Sequence, residues 1–252
     1  MIESFYNTLA PYYKYIYANW DASVKRQAVV LDGVIREYVG ENAQTVLDVA
    51  CGIGTQSLGL ANLGYEVTAS DISGGEIEQA KTEAERYGVT INFQIADMRQ
   101  AWEVYQRQFD VVIACDNSVP HLLTDEEILL AFKQFYQCTK SGGGCVVTVR
   151  DYAQLERKEN DRRMSPRLVH PLEDGQIVMF DVWDFYDDDH YEITTYLIDD
   201  DGSSDVKTEA IRGGKYYCVE IPRLKQLFWD AGFQDVVVLE DRFFQPLLVA
   251  IK

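Results

Sequence analysis

The run Val46-Leu47-Asp48-Val49-Ala50-Cys51-Gly52-Ile53-Gly54-Thr55 constrains the fold more than any other stretch, because an apolar, strand-like segment ends in Gly-x-Gly just before a helical pattern begins. Glycine tolerates positive φ and carries no Cβ, so backbone amides at such a corner can approach a ligand closely at the carboxyl end of a parallel strand. A second apolar run, Glu66–Ser70, leads to Asp71, which stands 23 residues after Asp48. An acid at that distance suits the two hydroxyls of a ribose, with capping of the helix that follows Ser73 as its plainer role. The third glycine of a G-x-G-x-x-G loop would fall at Ser57. The pyrophosphate loop is therefore incomplete, and an NAD-dependent oxidoreductase is the weaker reading.

Periodicity around this corner predicts an α/β fold, a Rossmann-like doubly wound sheet of seven strands. Val24, Ala28, Leu31, Val34 and Ile35 recur at helical spacing within 21–39. Strand and helix patterns then alternate: strand 45–50, helix 55–63, strand 66–70, helix 75–87, strand 91–95, strand 109–114, helix 125–138 and strand 144–150. After Tyr152 the rhythm changes. Segments 176–186, 190–198 and 205–217 are β-rich and separated by Asp/Gly turns, which predicts an antiparallel β-sheet inserted after the fifth strand. A helix over 222–231, closed by Gly232, and strands 235–239 and 247–252 complete the core as an antiparallel edge pair. The expected organisation is thus a lid helix and ligand-binding core over 1–152, an inserted lid or oligomer contact over 153–217, and a completing helix and strand pair over 218–252.

Composition narrows the partners. A chain of 252 residues with 47% hydrophobic content buries one sizeable core. Its formal net charge of −18 argues against a nucleic-acid substrate, since phosphate backbones are bound through Lys and Arg. The absence of an apolar run of membrane-spanning length, of a basic amphipathic helix and of a secretory pattern at the N-terminus predicts a cytoplasmic protein without a membrane partner. Five scattered cysteines without a C-x-x-C pair read as reduced core residues and not as a zinc site. The triplets Asp187–Asp189 and Asp199–Asp201 fit solvated turns, with a hard-cation site as the alternative; no metal is expected.

The order of these motifs resembles the class I S-adenosylmethionine (SAM)-dependent methyltransferases. The resemblance rests on Asp48, Cys51, Gly52 and Gly54 in D-x-x-C-G-x-G, on Asp71, on Ile95-Ala96-Asp97-Met98, and on Phe109–Asn117 as the fourth strand and its end. It implies SAM as cofactor, S-adenosylhomocysteine as product, and cofactor contacts from Ala50, Cys51, Gly52, Gly54, Asp71, Ile72, Asp97, Met98, Cys115 and Asp116. Asn117-Ser118-Val119-Pro120-His121-Leu122 and Val149-Arg150-Asp151-Tyr152 are further similar to segments of glycine and sarcosine N-methyltransferases. Tyr217, in the pair Tyr216-Tyr217, matches an aromatic pair of those enzymes, and Arg26 stands where an arginine reaches the SAM carboxylate.

These residues suit methyl transfer to a nitrogen of a small molecule. In-line displacement needs alignment more than catalytic groups, and alignment alone contributes about 7–11 kcal/mol. Asn117 would orient the amine and His121 is the nearest base, although a histidine there also serves as a structural donor. Arg150 would hold a carboxylate through two parallel hydrogen bonds, unless it pairs with Asp151 or another acid of this acidic chain. The aromatics Tyr6, Tyr12, Tyr13, Tyr15, Tyr17 and Trp20 suggest a segment folded over the pocket, with Tyr6 and Tyr15 nearest the cofactor by resemblance; ordinary helix packing accounts for others. A natural-product or sugar acceptor, and a noncatalytic SAM-binding interaction protein, are the alternatives. The inserted sheet is also the candidate contact for a homo-oligomer.

Overall fold

The computed structural model describes residues 2–155, 161–203 and 206–252. Its core is a seven-stranded sheet built from β1 (Thr45–Asp48), β2 (Glu66–Asp71), β3 (Asn92–Ile95), β4 (Phe109–Ala114), β5 (Thr139–Thr148), β11 (Gln234–Leu239) and β12 (Leu247–Ile251). The spatial order is β11-β12-β5-β4-β1-β2-β3. The first five strands are mutually parallel where they pair, and β12 lies antiparallel to both β5 and β11. The two last strands are therefore the antiparallel edge pair the sequence suggests, with β11 outermost.

Alternation along the central strands explains why both faces are covered. Val111 and Ile113 of β4 enter one core with Leu31, Val34 and Ile35 of α2 (Trp20–Tyr38), Leu60 of α3 (Thr55–Asn62) and Ile77 of α4 (Gly74–Tyr87). Val112 and Ala114 enter the opposite core with Ala101 of α5 (Ala101–Tyr105), Phe132 and Phe135 of α6 (Asp125–Cys138), and Leu227 and Phe228 of α7 (Ile221–Ala231). Side chains that alternate across a strand and are apolar on both faces require this two-sided burial. All five cysteines are buried and free. Among the described residues no helix is long and apolar enough to cross a membrane.

The fifth strand begins earlier than expected. Ser141-Gly142-Gly143-Gly144 reads as a turn, yet it lies within β5, with an irregular register opposite β4. Glycine is needed here because a Cβ on Gly143 would stand 2.6 Å from the Asp110 carbonyl oxygen.

Among the described residues the insertion has five strands and not three: β6 (Arg162–Met164), β7 (Leu168–Leu172), β8 (Gly175–Phe185), β9 (His190–Asp200) and β10 (Lys207–Tyr217). The order is β10-β9-β8-β6, with β7 also paired to β8. The two extra strands are three and five residues long, and β7 contains Pro171, so neither carries a clear alternating pattern. Asp205, where the third β segment was expected to begin, lies outside the described residues. The aspartate triplets close turns: Asp187 accepts from the Asp189 amide and faces His190, while Asp200 and Asp201 accept from the amides of Gly202 and Ser203.

The N-terminal helix α1 (Ile2–Leu9) lies between this second sheet and α4. Phe5 and Leu9 pack with Ile177, Met179, Leu197 and Ile211 of the insertion. On its other side Asn7 Oδ1 accepts from the Gly75 amide and from the Ser73 hydroxyl, both at 2.8 Å. One face of the inserted sheet is thus a bed for α1.

A close helix approach behind the Gly-x-Gly corner offers a test of this packing. A Cβ on Gly59 would lie 2.6 Å from Ala28 Cβ and 2.7 Å from the Val24 carbonyl. Gly59→Ala is expected to lower unfolding free energy by about 1–3 kcal/mol, despite alanine's better helix propensity. Urea titration followed by circular dichroism measures it.

Candidate active site

At the carboxyl end of β1, Gly52 has φ +52° and Gly54 φ +93°, values that suit residues without a Cβ. Gly54 starts α3, where a Cβ would press on Leu58 at 3.1 Å. Asp48 anchors the corner from beneath: its carboxylate accepts from the Ser57 hydroxyl at 2.7 Å and the Ala50 amide at 3.3 Å. Burial pushes its pKa up to about 7. At the end of β2, Asp71 accepts from the Gly52 amide on one oxygen and the Ser73 amide on the other, both at 2.9 Å. Burial raises its pKa, while these amides act in the opposite direction.

These corners border a cavity of about 720 Å³, within the roughly 300–1,000 Å³ of small-molecule clefts. Ala50, Cys51, Gly52, Asp71, Ile72, Asp97, Met98, Cys115 and Asp116 all line it. Ile2, Glu3, Tyr6 and Tyr13 form the wall contributed by the N-terminal segment. This arrangement suits a nucleoside with a charged tail: a hydrogen-bond-accepting carboxylate meets hydroxyls, and the corner glycine leaves the close approach free. A Cβ on Gly52 would instead meet Glu76 Oε2 at 3.4 Å and Tyr13 at 3.9 Å.

The residues expected at the substrate end are organised by β4, β5 and the insertion. Asp116 and Asn117 both have positive φ, +58° and +65°, and the Thr148 hydroxyl and carbonyl at the end of β5 receive their amides. Asp and Asn tolerate this conformation better than most residues with side chains. Asn117 is buried, receives the Arg150 amide at 2.9 Å and donates to the Tyr152 hydroxyl at 2.9 Å. It holds the corner rather than lining the cavity.

His121 does line the cavity. Burial drives its pKa down to about 4, so the ring is neutral near pH 7. Its Nδ1 lies 2.7 Å from the Lys215 carbonyl, which can only accept, so Nδ1 carries the proton. Nε2 must then accept from the Tyr6 hydroxyl at 2.7 Å. Tyr216 packs against His121 with ring centroids 4.0 Å apart and planes tilted by 39°, and its hydroxyl lies 3.3 Å from that of Tyr6.

Arg150 faces a second cavity, of about 1,010 Å³, which also contains Arg26, Tyr17, Asn19 and Gln245. Asp116 borders both cavities, and the Tyr17 hydroxyl donates to its carboxylate. Arg150 donates to the Tyr191 hydroxyl at 2.7 Å and lies 4.4 Å from the Trp183 ring centroid. Asp151 does not pair with it but caps the turn at 152–154 through the Ala153 amide. Among the described residues no carboxylate lies within ion-pair distance of Arg150.

The structure does not bring every expected residue together. Tyr15 packs in the core under the insertion, its carbonyl 2.7 Å from His170 Nε2. Tyr217 donates to Asp125 at 3.1 Å, leaving Tyr216 as the member of the pair at His121. Arg26 donates to Ser23 at 2.8 Å and lines the second cavity. Sequence reasoning missed the supports Asn7, Glu76, Trp183 and Tyr191. The register shift in β10 between Arg212 and Gly214 resets its alternation, so counting along the strand cannot tell which tyrosine faces inward.

A methyltransferase-domain family model matches residues 46–143. The glycine/sarcosine N-methyltransferase of Aphanothece halophytica is 29% identical over 134 residues, covering 53% of this chain and 49% of that enzyme. Its counterpart in Parasynechococcus marenigrum (strain WH8102) is 24% identical over 227 residues, covering 88% of this chain and 73% of that enzyme. Among solved structures, SAM-bound CalS10, an amino pentose methyltransferase from Micromonospora echinaspora, has a TM-score of 0.75 at 16% identity. The match covers 90% of this chain and 91% of that one.

The buried acid beneath the corner predicts a pH effect. The raised pKa of Asp48 means that the native state holds its proton more tightly than the unfolded chain, whose value is 3.8. Its stabilising contribution is complete below that value and is lost as pH rises to about 7. Wild type should therefore lose up to about 4 kcal/mol relative to Asp48→Asn between pH 4 and 7.5. Parallel urea titrations across that range read the difference.

Proposed function

We propose that this chain, a class I SAM-dependent methyltransferase, transfers the methyl group to the nitrogen of a small amine that also carries a carboxylate, as glycine and sarcosine do. SAM supplies an electrophilic methyl on a positively charged sulfur. The residues of this chain align the acceptor and exclude water. Cofactor contacts are assigned to Tyr6, Ala50, Cys51, Gly52, Asp71, Ile72, Asp97, Met98, Cys115 and Asp116, all lining one cavity. Arg26, which lines the second cavity beside Asp116, is assigned to the cofactor carboxylate. Gly54 acts by shaping the corner.

Arg150 carries the reading. A half-buried guanidinium fixed by Tyr191 and Trp183, with no carboxylate partner among the described residues, suits an incoming carboxylate. Asn117 holds the backbone of Arg150 in place. At the nitrogen end, neutral His121 holds the Tyr6 hydroxyl proton, leaving the tyrosine oxygen as an acceptor for an amine N–H. Held between Arg150 and Tyr6, the neutral nitrogen would present its lone pair in line with the methyl of bound SAM, and the proton it gives up on methylation would leave to solvent.

A sugar amine is the second reading. It is favoured by the part of the first cavity that extends to Glu192, Gly213 and Lys215 of the insertion, which gives room and polar groups for a larger scaffold. The amino pentose activity of a protein of similar fold is consistent with it.

Incubation with SAM and glycine, sarcosine, dimethylglycine or an amino sugar, followed by mass spectrometry, distinguishes these acceptors. Methylated glycine or sarcosine is expected. Arg150→Ala should raise KM for that acceptor about 10- to 100-fold, as loss of a charge-assisted contact implies. An amino-sugar product whose formation is indifferent to Arg150→Ala would contradict the carboxylate assignment. Tyr6→Phe should lower kcat about tenfold or more if the hydroxyl orients the amine in the transition state; unchanged kcat and KM would remove it from that role.

A further inference from the structure

Among the described residues, Glu76 is the one carboxylate with buried oxygens that no protein group satisfies, and both of its oxygens are in that condition. The side chain is fully buried in the first turn of α4. Its surroundings make this costly. Asp71, close enough to act on it electrostatically, brings like charge, while Tyr6 and Tyr13 reach the same neighbourhood from the N-terminal segment. A packing role alone would be filled better by an apolar side chain of similar length.

Position says what the carboxylate is for. Glu76 Oε2 lies 3.4 Å from the point where a Cβ on Gly52 would stand, and Tyr13 lies 3.9 Å from that point. Gly52 and Tyr13 line the same cavity as Asp71. Glu76 itself does not line the cavity: it stands directly behind Gly52 and Tyr13, at the seam between the corner loop and the N-terminal segment, where a small shift of these neighbours opens its carboxylate to the cavity. A carboxylate at this place needs donors, and each Asp71 oxygen already receives one backbone amide. A vicinal diol offers two donors that two acids can share.

We propose that Glu76 is a second ribose-binding residue, which accepts a hydrogen bond from one hydroxyl of the cofactor ribose while Asp71 accepts from the other. The inference rests on the SAM reading of the cavity. It adds a diol clamp made of two acids, one from the end of β2 and one from α4, closed over by the lid that Asn7 pins to the same helix turn.

Calorimetric titration with S-adenosylhomocysteine and its 2′-deoxy and 3′-deoxy analogues tests the clamp on wild type, Glu76→Met and Glu76→Gln. Wild type should bind each deoxy analogue about tenfold or more weakly than the parent. Glu76→Met should lose a similar factor for the parent and stop discriminating against one of the two analogues. Glu76→Gln, which keeps an acceptor oxygen, should fall between wild type and Glu76→Met. Ligand-free Glu76→Met should melt no lower than wild type, because an unsatisfied buried carboxylate has been removed.

Wild-type affinity in Glu76→Met would overturn the proposal. So would an equal loss for all three ligands with discrimination intact, or a loss seen with SAM but not with S-adenosylhomocysteine, which would place the charge against the sulfonium. If Glu76→Met does not fold, the same discrimination is read on Glu76→Gln, where unchanged affinity and discrimination overturn the proposal. Failure of wild type to bind S-adenosylhomocysteine at all would refute the cofactor reading, and the proposal with it.

Discussion

The carboxylate of Asp71 ties the molecule's separate parts into one site. One oxygen holds the Gly52 amide and the other holds the Ser73 amide, so the ends of β1 and β2 share a single anchor. Ser73 caps α4 by accepting from the Glu76 amide at 3.1 Å and passes its own hydroxyl proton to Asn7 of the lid. The corner loop, the second strand, the cap of α4 and the N-terminal helix are thereby linked through short, directional bonds. A long parallel sheet positions these groups coarsely, and this chain of donors and acceptors sets them to hydrogen-bond tolerance.

The insertion completes the arrangement from the other side. Its inner face supports Phe5 and Leu9 of α1, and Gly214 permits the approach, since a Cβ there would stand 3.1 Å from the Phe5 ring. Its strand β10 also delivers the Lys215 carbonyl that fixes the His121 tautomer and the Tyr216 ring that packs against it. The α1 wall of the first cavity and the His121 wall consequently share one support. Acid density accompanies this design: burial raises the pKa values of Asp48, Asp71, Glu76 and Asp116 in the same region. Such desolvated carboxylates are poorly matched in the ligand-free protein and well matched to hydroxyl, ammonium and sulfonium groups.

Most of the fold was legible because its signals are local. Gly52, Gly54 and Asp71 lie at strand ends whose apolar runs are unambiguous, and the alternation of strand and helix leaves few topologies for a doubly wound sheet. Legibility failed where tertiary geometry overrides periodicity. The glycine run before Cys145 looks like a turn but serves as strand, since only glycine fits against the Asp110 carbonyl. Tyr216 and Tyr217 exchange their expected places because a bulge precedes them. Tyr15 belongs to a 3-10 segment, Ala10–Ile16, whose period of three turns it toward the insertion while Tyr13 and Tyr17 reach the cavities. Glu76 looks like any exposed acid of a charged helix, and its burial depends on a lid more than 60 residues away in sequence.

The central claim is that Asp71 anchors a SAM-binding cavity, and calorimetric titration of S-adenosylhomocysteine into wild type and Asp71→Ala tests it most directly, with circular dichroism confirming the fold of each. The account predicts saturable one-site binding to wild type and a loss of about 100-fold or more in the variant, since both a charge-assisted ligand contact and the ordering of the Gly52 corner are removed. Equal affinity in the two folded proteins would contradict it.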